Sequence, residues 1–215
     1  MIVKVCGVRT PEIAAAAIDA GADWLGLVLV PASPRHVDDA AARAVVDAVR
    51  GRADLVGVMV DATPSECEQA VDRYSLSALQ LHGSVALSTA SLAPVPVIRA
   101  INLTPGMSAY IDDWWPDCLV LLDSAPSAQG LPGGTGNRVE QAVAATLARH
   151  RRLLLAGGLS AGNVAAAITA VRPHGVDASS GLESTPGVKD AARVVAYVRA
   201  ARSAAAPSAP GTTAA

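Results

Sequence analysis

Eight short apolar runs punctuate the chain at intervals of roughly 20–30 residues: IVKVC (2–6), WLGLVLV (24–30), DLVGVMV (54–60), ALQLH (78–82), PVIRAI (96–101), CLVLLD (118–123), RLLLAGG (152–158) and GVDASSG (175–181). Their length and their Val, Leu and Ile content predict strands, and their nearly continuous apolar character predicts strands covered on both faces. Helical patterning follows most of them. Thr10-Pro11 opens a first helix, with proline tolerated at the first helical position, and Gly21 closes it. Asp38 or Asp39 opens a second, Arg50 suits its negative C-terminal end, and Gly51 stops it. Thr63-Pro64-Ser65-Glu66 has the capping-box spacing. Ser160 precedes the helical stretch AGNVAAAITAV, and Val188, Val195 and Val198 suggest the stripe of a last helix. The segments SVALSTASLA (84–93) and TPGMSAYIDDW (104–114) carry little periodicity, so the fourth and fifth helices are the least marked.

Alternating strands and helices fold either as an open doubly wound sheet or as a closed barrel. Eight units within 215 residues favour an α/β fold with a single compact (βα)8 TIM barrel. The barrel is expected to span residues 1–202, leaving 203–215, rich in Ala, Ser and Pro, as a disordered tail.

Composition narrows the function. With 17% charged residues and a net charge of −2, there is no basic block for nucleic acid, and 3% aromatics without any Phe leave little for base stacking. No run has the length of a membrane span, and the first ten residues enter a strand pattern without the long apolar region of an export signal. The cysteines Cys6, Cys67 and Cys118 are odd in number and far apart, which suits neither a disulfide framework nor a CxxC metal site. A reducing cytoplasm and no metal or cofactor are expected. No heptad or interface stripe is evident, so a monomer is the default.

In a (βα)8 barrel the chemistry gathers at the C-terminal ends of the strands, with phosphate often bound after the seventh and eighth. Gly157-Gly158 follow the seventh run and Ser179-Ser180-Gly181 end the eighth. Small residues there let the backbone approach an anion and present its N–H groups, although tight turns alone would also use them. Alternation turns Cys6, His82, Asp123 and Asp177 away from their apolar neighbours and towards the barrel mouth. A carboxylate after LVLL is costly to bury unless paired or used, but a lone cysteine or histidine is more often a packing residue. Arg35, in SPRHV, has the planar fork that takes a carboxylate in two parallel hydrogen bonds; an exposed surface arginine would read the same way. The Gly- and Pro-rich stretch SAPSAQGLPGGTGN after Asp123 reads as filler or as a lid, and its place beside the mouth favours the lid. Cys67 and Cys118 read as packing residues.

Taken together, KVCGVRTPEIAAAAIDAGADWLGLVLVPASPRHV, LQLHG, LLDSAPSAQGLPGGTG, LAGGLSAGNVAAAI and GVDASSGLESTPGVKD resemble the phosphoribosylanthranilate isomerase family of tryptophan biosynthesis, in order from residue 2 to about residue 200. The resemblance implies a cofactor-free Amadori rearrangement of one small phosphorylated substrate. It makes Asp123 the general acid that opens the furanose ring and Cys6 the general base that takes the proton from C2. It faces Arg35 to the anthranilate carboxylate, sets Gly157, Gly158, Ser179, Ser180 and Gly181 against the phosphate, and makes Gly133-Gly134-Thr135-Gly136 the closing loop. His82 and Asp177 remain possible substrate contacts. Val139-Glu140-Gln141 stands where the family carries an aromatic-Asp-Trp triplet. Two rivals share the scaffold: a histidine-pathway or dual-substrate phosphosugar isomerase, which uses paired aspartates, and a phospholigand-binding barrel without catalysis.

Overall fold

The computed structural model describes residues 1–84, 87–103, 118–124 and 138–206. Eight parallel strands, β1 (Ile2–Cys6), β2 (Trp24–Val28), β3 (Asp54–Val60), β4 (Ala78–His82), β5 (Val97–Leu103), β6 (Leu119–Ser124), β7 (Leu153–Ala156) and β8 (Gly175–Ala178), follow one another in chain order around a closed barrel. Helices α1 (Pro11–Ala20), α2 (Asp39–Val49), α3 (Pro64–Tyr74) and α4 (Leu87–Leu92) follow the first four strands. Helices α5 (Arg138–His150), α6 (Val164–Val171) and α7 (Ala191–Ala205) follow β6, β7 and β8. A 3-10 turn (Ser180–Leu182) and a hairpin of β9 (Glu183–Thr185) and β10 (Val188–Lys189) stand between β8 and α7. The segment 104–114, the glycine loop 133–136 and residues 207–215 lie outside the described residues. Among the described residues no helix is long and apolar enough to cross a membrane.

Period-2 alternation builds two separate cores. Val3, Val5, Leu25, Leu27, Leu79, Leu81, Val120, Leu122, Leu153 and Leu155 face outward into the shell under the helices. Val56, Ala78, Ile98, Ala100, Leu119, Leu121, Leu154 and Ala156 fill the lumen. Towards the C-terminal end of the strands the lumen turns polar, and Lys4, Gln80 and Asp177 are buried there. Cys6, Val28 and Val58 form the last cluster below the mouth. The wall closes where β1 pairs with β8, with Lys4 opposite Asp177.

Several helix boundaries follow the sequence signals. Thr10 caps α1 and Gly21 ends it in the left-handed region, and the Thr63–Glu66 capping box forms. Asp38 caps α2, and Arg50, the residue after its end, itself takes the left-handed cap. Three details differ. Ser160 is not the cap of α6: its N–H donates to Asn163 Oδ1 at 2.8 Å, a local turn that delays the helix to Val164. Val188 belongs to β10, and the buried stripe of α7 is Val194, Tyr197, Val198 and Ala201. That helix runs to Ala205, because the alanine-rich sequence past residue 202 is itself a good helix former.

Candidate active site at the barrel mouth

Alternation carries Lys4 and Cys6 to the same face of β1, pointing into the lumen. Lys4 is fully buried, and its ammonium donates to Gln80 Oε1 at 2.9 Å and Asp177 Oδ1 at 3.1 Å. An ammonium has three N–H donors. The Cys6 thiol lies close enough to act on the same ammonium electrostatically. Burial opposes the Lys4 charge, but Asp177 and Cys6 outweigh it and raise its pKa above the ordinary lysine value. The cation is therefore permanent.

The same contacts order the protons further along. Because Lys4 can only donate, Gln80 turns its oxygen to Lys4 and its NH2 to His82 Nε2, 2.8 Å away. His82 Nε2 must then accept, which leaves the imidazole neutral with its proton on Nδ1. Burial lowers the His82 pKa, with help from Lys4 and Arg99 and against Asp177. Asp177 and His82, predicted as possible substrate contacts, are thus members of a buried relay beneath the mouth.

Cys6 is 6% exposed and ends β1. Its sulfur lies 2.8 Å from the position a Cβ on Gly26 would take, so only glycine is accommodated on the facing strand. Burial pushes the thiol pKa up and Asp177 adds to this, while Lys4 and Lys189 pull it back. Asp123 reaches the same mouth from β6, in register with Ala156 on β7. Burial and the Asp177 charge raise its pKa to about 6, against the pull of Arg35. Cys6 and Asp123 therefore answer to one common neighbour, Asp177, across the lumen. At pH 7 the carboxyl is mostly ionised and the thiol mostly protonated, the reverse of what an acid and a base in those roles require.

Arg35 is engaged rather than loose. Its Nε and Nη2 bind Glu183 Oε1 and Oε2 at 2.7 and 2.9 Å, side-on and bidentate. Glu183 also accepts from Lys189 Nζ at 2.6 Å and from the Gly187 N–H at 3.2 Å. Burial works against the Glu183 charge, but Arg35 and Lys189 prevail and hold its pKa below the ordinary value. Gly7 explains the Cys-Gly pair at the exit of β1. It turns at φ +76, and a Cβ there would lie 3.1 Å from Lys189 Nζ and 3.3 Å from Arg35 Cδ. Both cations lie across the glycine.

The two small-residue loops meet. A Cβ on Gly181 would fall 2.1 Å from Leu159 O, so the loop after β8 packs directly on the loop after β7. Gly157 and Gly158 both adopt positive φ, and Asn163 ties their turn to α6 by donating to Gly158 O at 3.0 Å. Ser179 Oγ donates to Cys6 O at 3.1 Å and accepts from Lys189 Nζ at 3.4 Å, which joins this loop to the thiol strand. Ser180 opens the 3-10 turn. The predicted closing loop, Gly133-Gly134-Thr135-Gly136, lies outside the described residues, and Val139-Glu140-Gln141 fall in the first turn of α5, which forms despite the departure. Among the described residues no group of His, Cys, Asp and Glu could hold a metal ion.

The structure thus brings Cys6, Asp123, Asp177, His82 and Arg35 to one mouth, beside both loops. Sequence reasoning missed Lys4, Gln80, Glu183 and Lys189. The first two were within reach, since the alternation that turned Cys6 and His82 inward also turns Lys4 and Gln80 inward. Glu183 and Lys189 lie within the GVDASSGLESTPGVKD motif, but alternation does not assign them a place in the site, because ESTPGVK reads as a loop until its two ends pair.

A family sequence model described as N-(5'phosphoribosyl)anthranilate (PRA) isomerase matches residues 3–200. The N-(5'-phosphoribosyl)anthranilate isomerase of Roseiflexus sp. (strain RS-1) is 43% identical over 214 residues, covering 94% of this chain and 98% of its own. A phosphoribosyl anthranilate isomerase solved in complex with reduced 1-(o-carboxyphenylamino)-1-deoxyribulose 5-phosphate superposes with a TM-score of 0.80 at 27% identity, covering 94% of this chain and 100% of that one. Monomers generated from the dimeric enzyme of Thermotoga maritima give a TM-score of 0.78 at 27% identity, with 94% and 100% coverage.

Proposed function

The chain belongs to the phosphoribosylanthranilate isomerase family, and from that membership we propose that Cys6 and Asp123 are the general base and general acid of its reaction. The enzyme converts N-(5-phosphoribosyl)anthranilate to 1-(2-carboxyphenylamino)-1-deoxyribulose 5-phosphate, an aldose-ketose isomerisation of tryptophan biosynthesis. Asp123 gives its proton to the furanose ring oxygen as the C1–O bond breaks, and the anilino nitrogen lone pair forms the iminium. Cys6 then takes the C2 proton, whose acidity the iminium raises, and the enolamine tautomerises to the ketone. Arg35 faces the anthranilate carboxylate. Gly157, Gly158, Ser179, Ser180 and Gly181 receive the phosphate.

The observation that carries this reading is the convergence of a cation-supported thiol and a carboxyl of raised pKa on one lumen. A thiol of ordinary pKa is only a few per cent ionised at neutral pH. Lys4 and Lys189 offset part of the burial that disfavours thiolate here. The substrate brings a phosphate and a carboxylate, and negative charge beside Asp123 raises its pKa further. Binding itself therefore shifts a proton towards the acid.

The proton distribution sets the pH profile. The productive form holds one proton on Asp123 and none on Cys6, and in a reverse-protonated pair its share is constant between the two pKa values. Below about 6 both groups are protonated and the thiolate is lost; above the raised thiol value both are ionised and the acid is lost. Accordingly kcat/KM shows a plateau whose acid limb falls near pH 6 and belongs to Asp123. Substrate generated in situ, with wild type, Cys6→Ala and Asp123→Asn compared, tests the assignment. Each variant loses roughly 10²–10⁴-fold in turnover while still binding a phosphorylated product analogue. Turnover retained by either variant overturns its role, and an inert wild type leaves only a phospholigand-binding barrel.

A free thiol as base suits a reducing cytoplasm. A monomer is the default for a chain without a heptad or interface stripe, and sedimentation distinguishes it from a dimer like the Thermotoga maritima enzyme.

A further inference from the structure

We infer that Glu183 is a positioning residue for carboxylate recognition: it grips one edge of Arg35 and aims the opposite edge at the carboxylate of the substrate. The inference rests on the reading of Arg35 given above.

A guanidinium is a flat fork of five N–H donors. Glu183 takes the edge formed by Nε and Nη2, with one oxygen on each. The two N–H of Nη1 and the second N–H of Nη2 point the other way, and Nη1 with Nη2 forms an end-on edge that fits a second carboxylate bidentately. An arginine on an exposed loop would sample many directions. Held at two of its nitrogens, Arg35 keeps its plane and heading before substrate arrives.

The carboxylate that holds it is itself immobilised. The Glu183 side chain is 5% exposed, and Lys189 and the Gly187 N–H bind it from the hairpin β9–β10. Arg193 of α7 donates to the Glu183 carbonyl oxygen. The hairpin is docked on the loop that carries Arg35: Arg9 Nη1 bridges Pro34 O at 3.5 Å and Gly187 O at 3.3 Å. Gly187, at φ +82, approaches Pro34 so closely that a Cβ would lie 2.1 Å from its carbonyl oxygen. The stem of Arg35 meanwhile lies on Gly7. The Glu183 grip, the Arg9 bridge, the Gly187–Pro34 approach and the support of the stem on Gly7 thus fix the Arg35 heading.

Charge follows the same logic. Two cations, Arg35 and Lys189, share the single Glu183 carboxylate, so the cluster keeps one net positive charge. An incoming carboxylate completes the balance. A Glu183 that merely plugged the Arg35 site would have to leave for substrate to bind, but its bonds to Lys189 and Gly187 oppose departure.

The test compares the anthranilate substrate with its carboxylate-free counterpart, N-(5-phosphoribosyl)aniline, in wild type, Arg35→Ala and Glu183→Gln. Glu183→Gln keeps the side-chain shape but cannot accept from both Arg35 nitrogens. The expected result is a KM for the anthranilate substrate raised about tenfold or more, a smaller change in kcat, and a KM for the aniline substrate within about twofold of wild type. Equal losses on both substrates, or an undiminished preference for the carboxylate, overturn the inference and leave Glu183 a structural residue. A KM that falls identifies a plug and overturns it too. A wild type without preference, or an Arg35→Ala variant that keeps it, overturns the Arg35 reading first and the inference with it. If Glu183→Gln does not fold, Glu183→Asp, which keeps the charge one methylene short, takes its place with the same outcomes.

Discussion

Two arginines, at opposite ends of the barrel, put the same side chain to different uses. At the N-terminal end, Arg202 of α7 donates from Nε and Nη2 to Gly21 O at 2.8 and 2.7 Å and from Nη1 to Met1 O at 2.8 Å. It also pairs with Asp23, whose Oδ2 accepts from the Val3 N–H at 2.7 Å. All three of its nitrogens are spent on the protein itself, so the last helix is pinned to the first strand and first helix. At the mouth, among the described residues, Arg35 commits Nε and Nη2 alone. One end of the barrel is satisfied and therefore stable. The other keeps the Nη1 edge of its arginine turned away from Glu183, the edge proposed above for the substrate carboxylate.

Truncating each arginine sharpens that contrast most. Arg202→Ala removes charge-assisted bonds to three backbone or carboxylate partners and costs about 2–3 kcal/mol of folding stability, read as a lower denaturation midpoint. Turnover per folded molecule stays at the wild-type level. Arg35→Ala shows the inverse, with a raised KM and a small change in midpoint. If Arg202→Ala slows the folded enzyme, the two ends are not separable in this way.

Asp123→Asn gives the next effect. The carboxyl has a folded pKa of about 6 against roughly 3.9 when unfolded. The native state therefore binds the proton more tightly, and ionisation costs stability as pH rises from about 4 to 6; above that the penalty is complete. The neutral amide escapes it. Asp123→Asn is thus expected to be inactive yet more stable by about 2 kcal/mol at pH 7.5, with the gain vanishing near pH 4. A loss of stability at pH 7.5 would show that Asp123 is a structural carboxylate after all.

The smallest effect lies in the wall. Tyr197 of α7 is fully buried, and its hydroxyl has no hydrogen-bond partner among the described residues. Tyr197→Phe removes an unsatisfied group and raises stability by up to about 1 kcal/mol, with no change in kcat. A destabilised variant would reveal a partner for that hydroxyl, such as a bound water.

The same division decides what the sequence disclosed. Strand repeats, caps and alternation are local, and they located the barrel, the inward heading of Cys6 and Asp123, and both small-residue loops. What decides the chemistry is pairing over long separations. Arg35 and Glu183 are 148 residues apart, and Lys4 and Asp177 are 173 apart. No local pattern records that a loop after the second strand and a hairpin after the eighth share one carboxylate. Nor does it record that the Asp123 and Cys6 pKa values are both raised, because that follows from burial depth and from the shared Asp177. Ser160 does not open α6 for a related reason: the Asn163 side chain, three residues on, accepts from the Ser160 N–H in a turn of its own.

The seam where β1 meets β8 makes barrel closure the step that completes the surroundings of the thiol. Lys4 stands on the same strand as Cys6, but the Asp177 carboxylate that anchors it, the Ser179 hydroxyl on the Cys6 carbonyl and the Lys189 ammonium all belong to β8 and the segment after it. Until β8 docks on β1, the sulfur has its neighbouring ammonium but none of the groups that hold that ammonium in place. Loosening this one seam would therefore disturb all of those groups together.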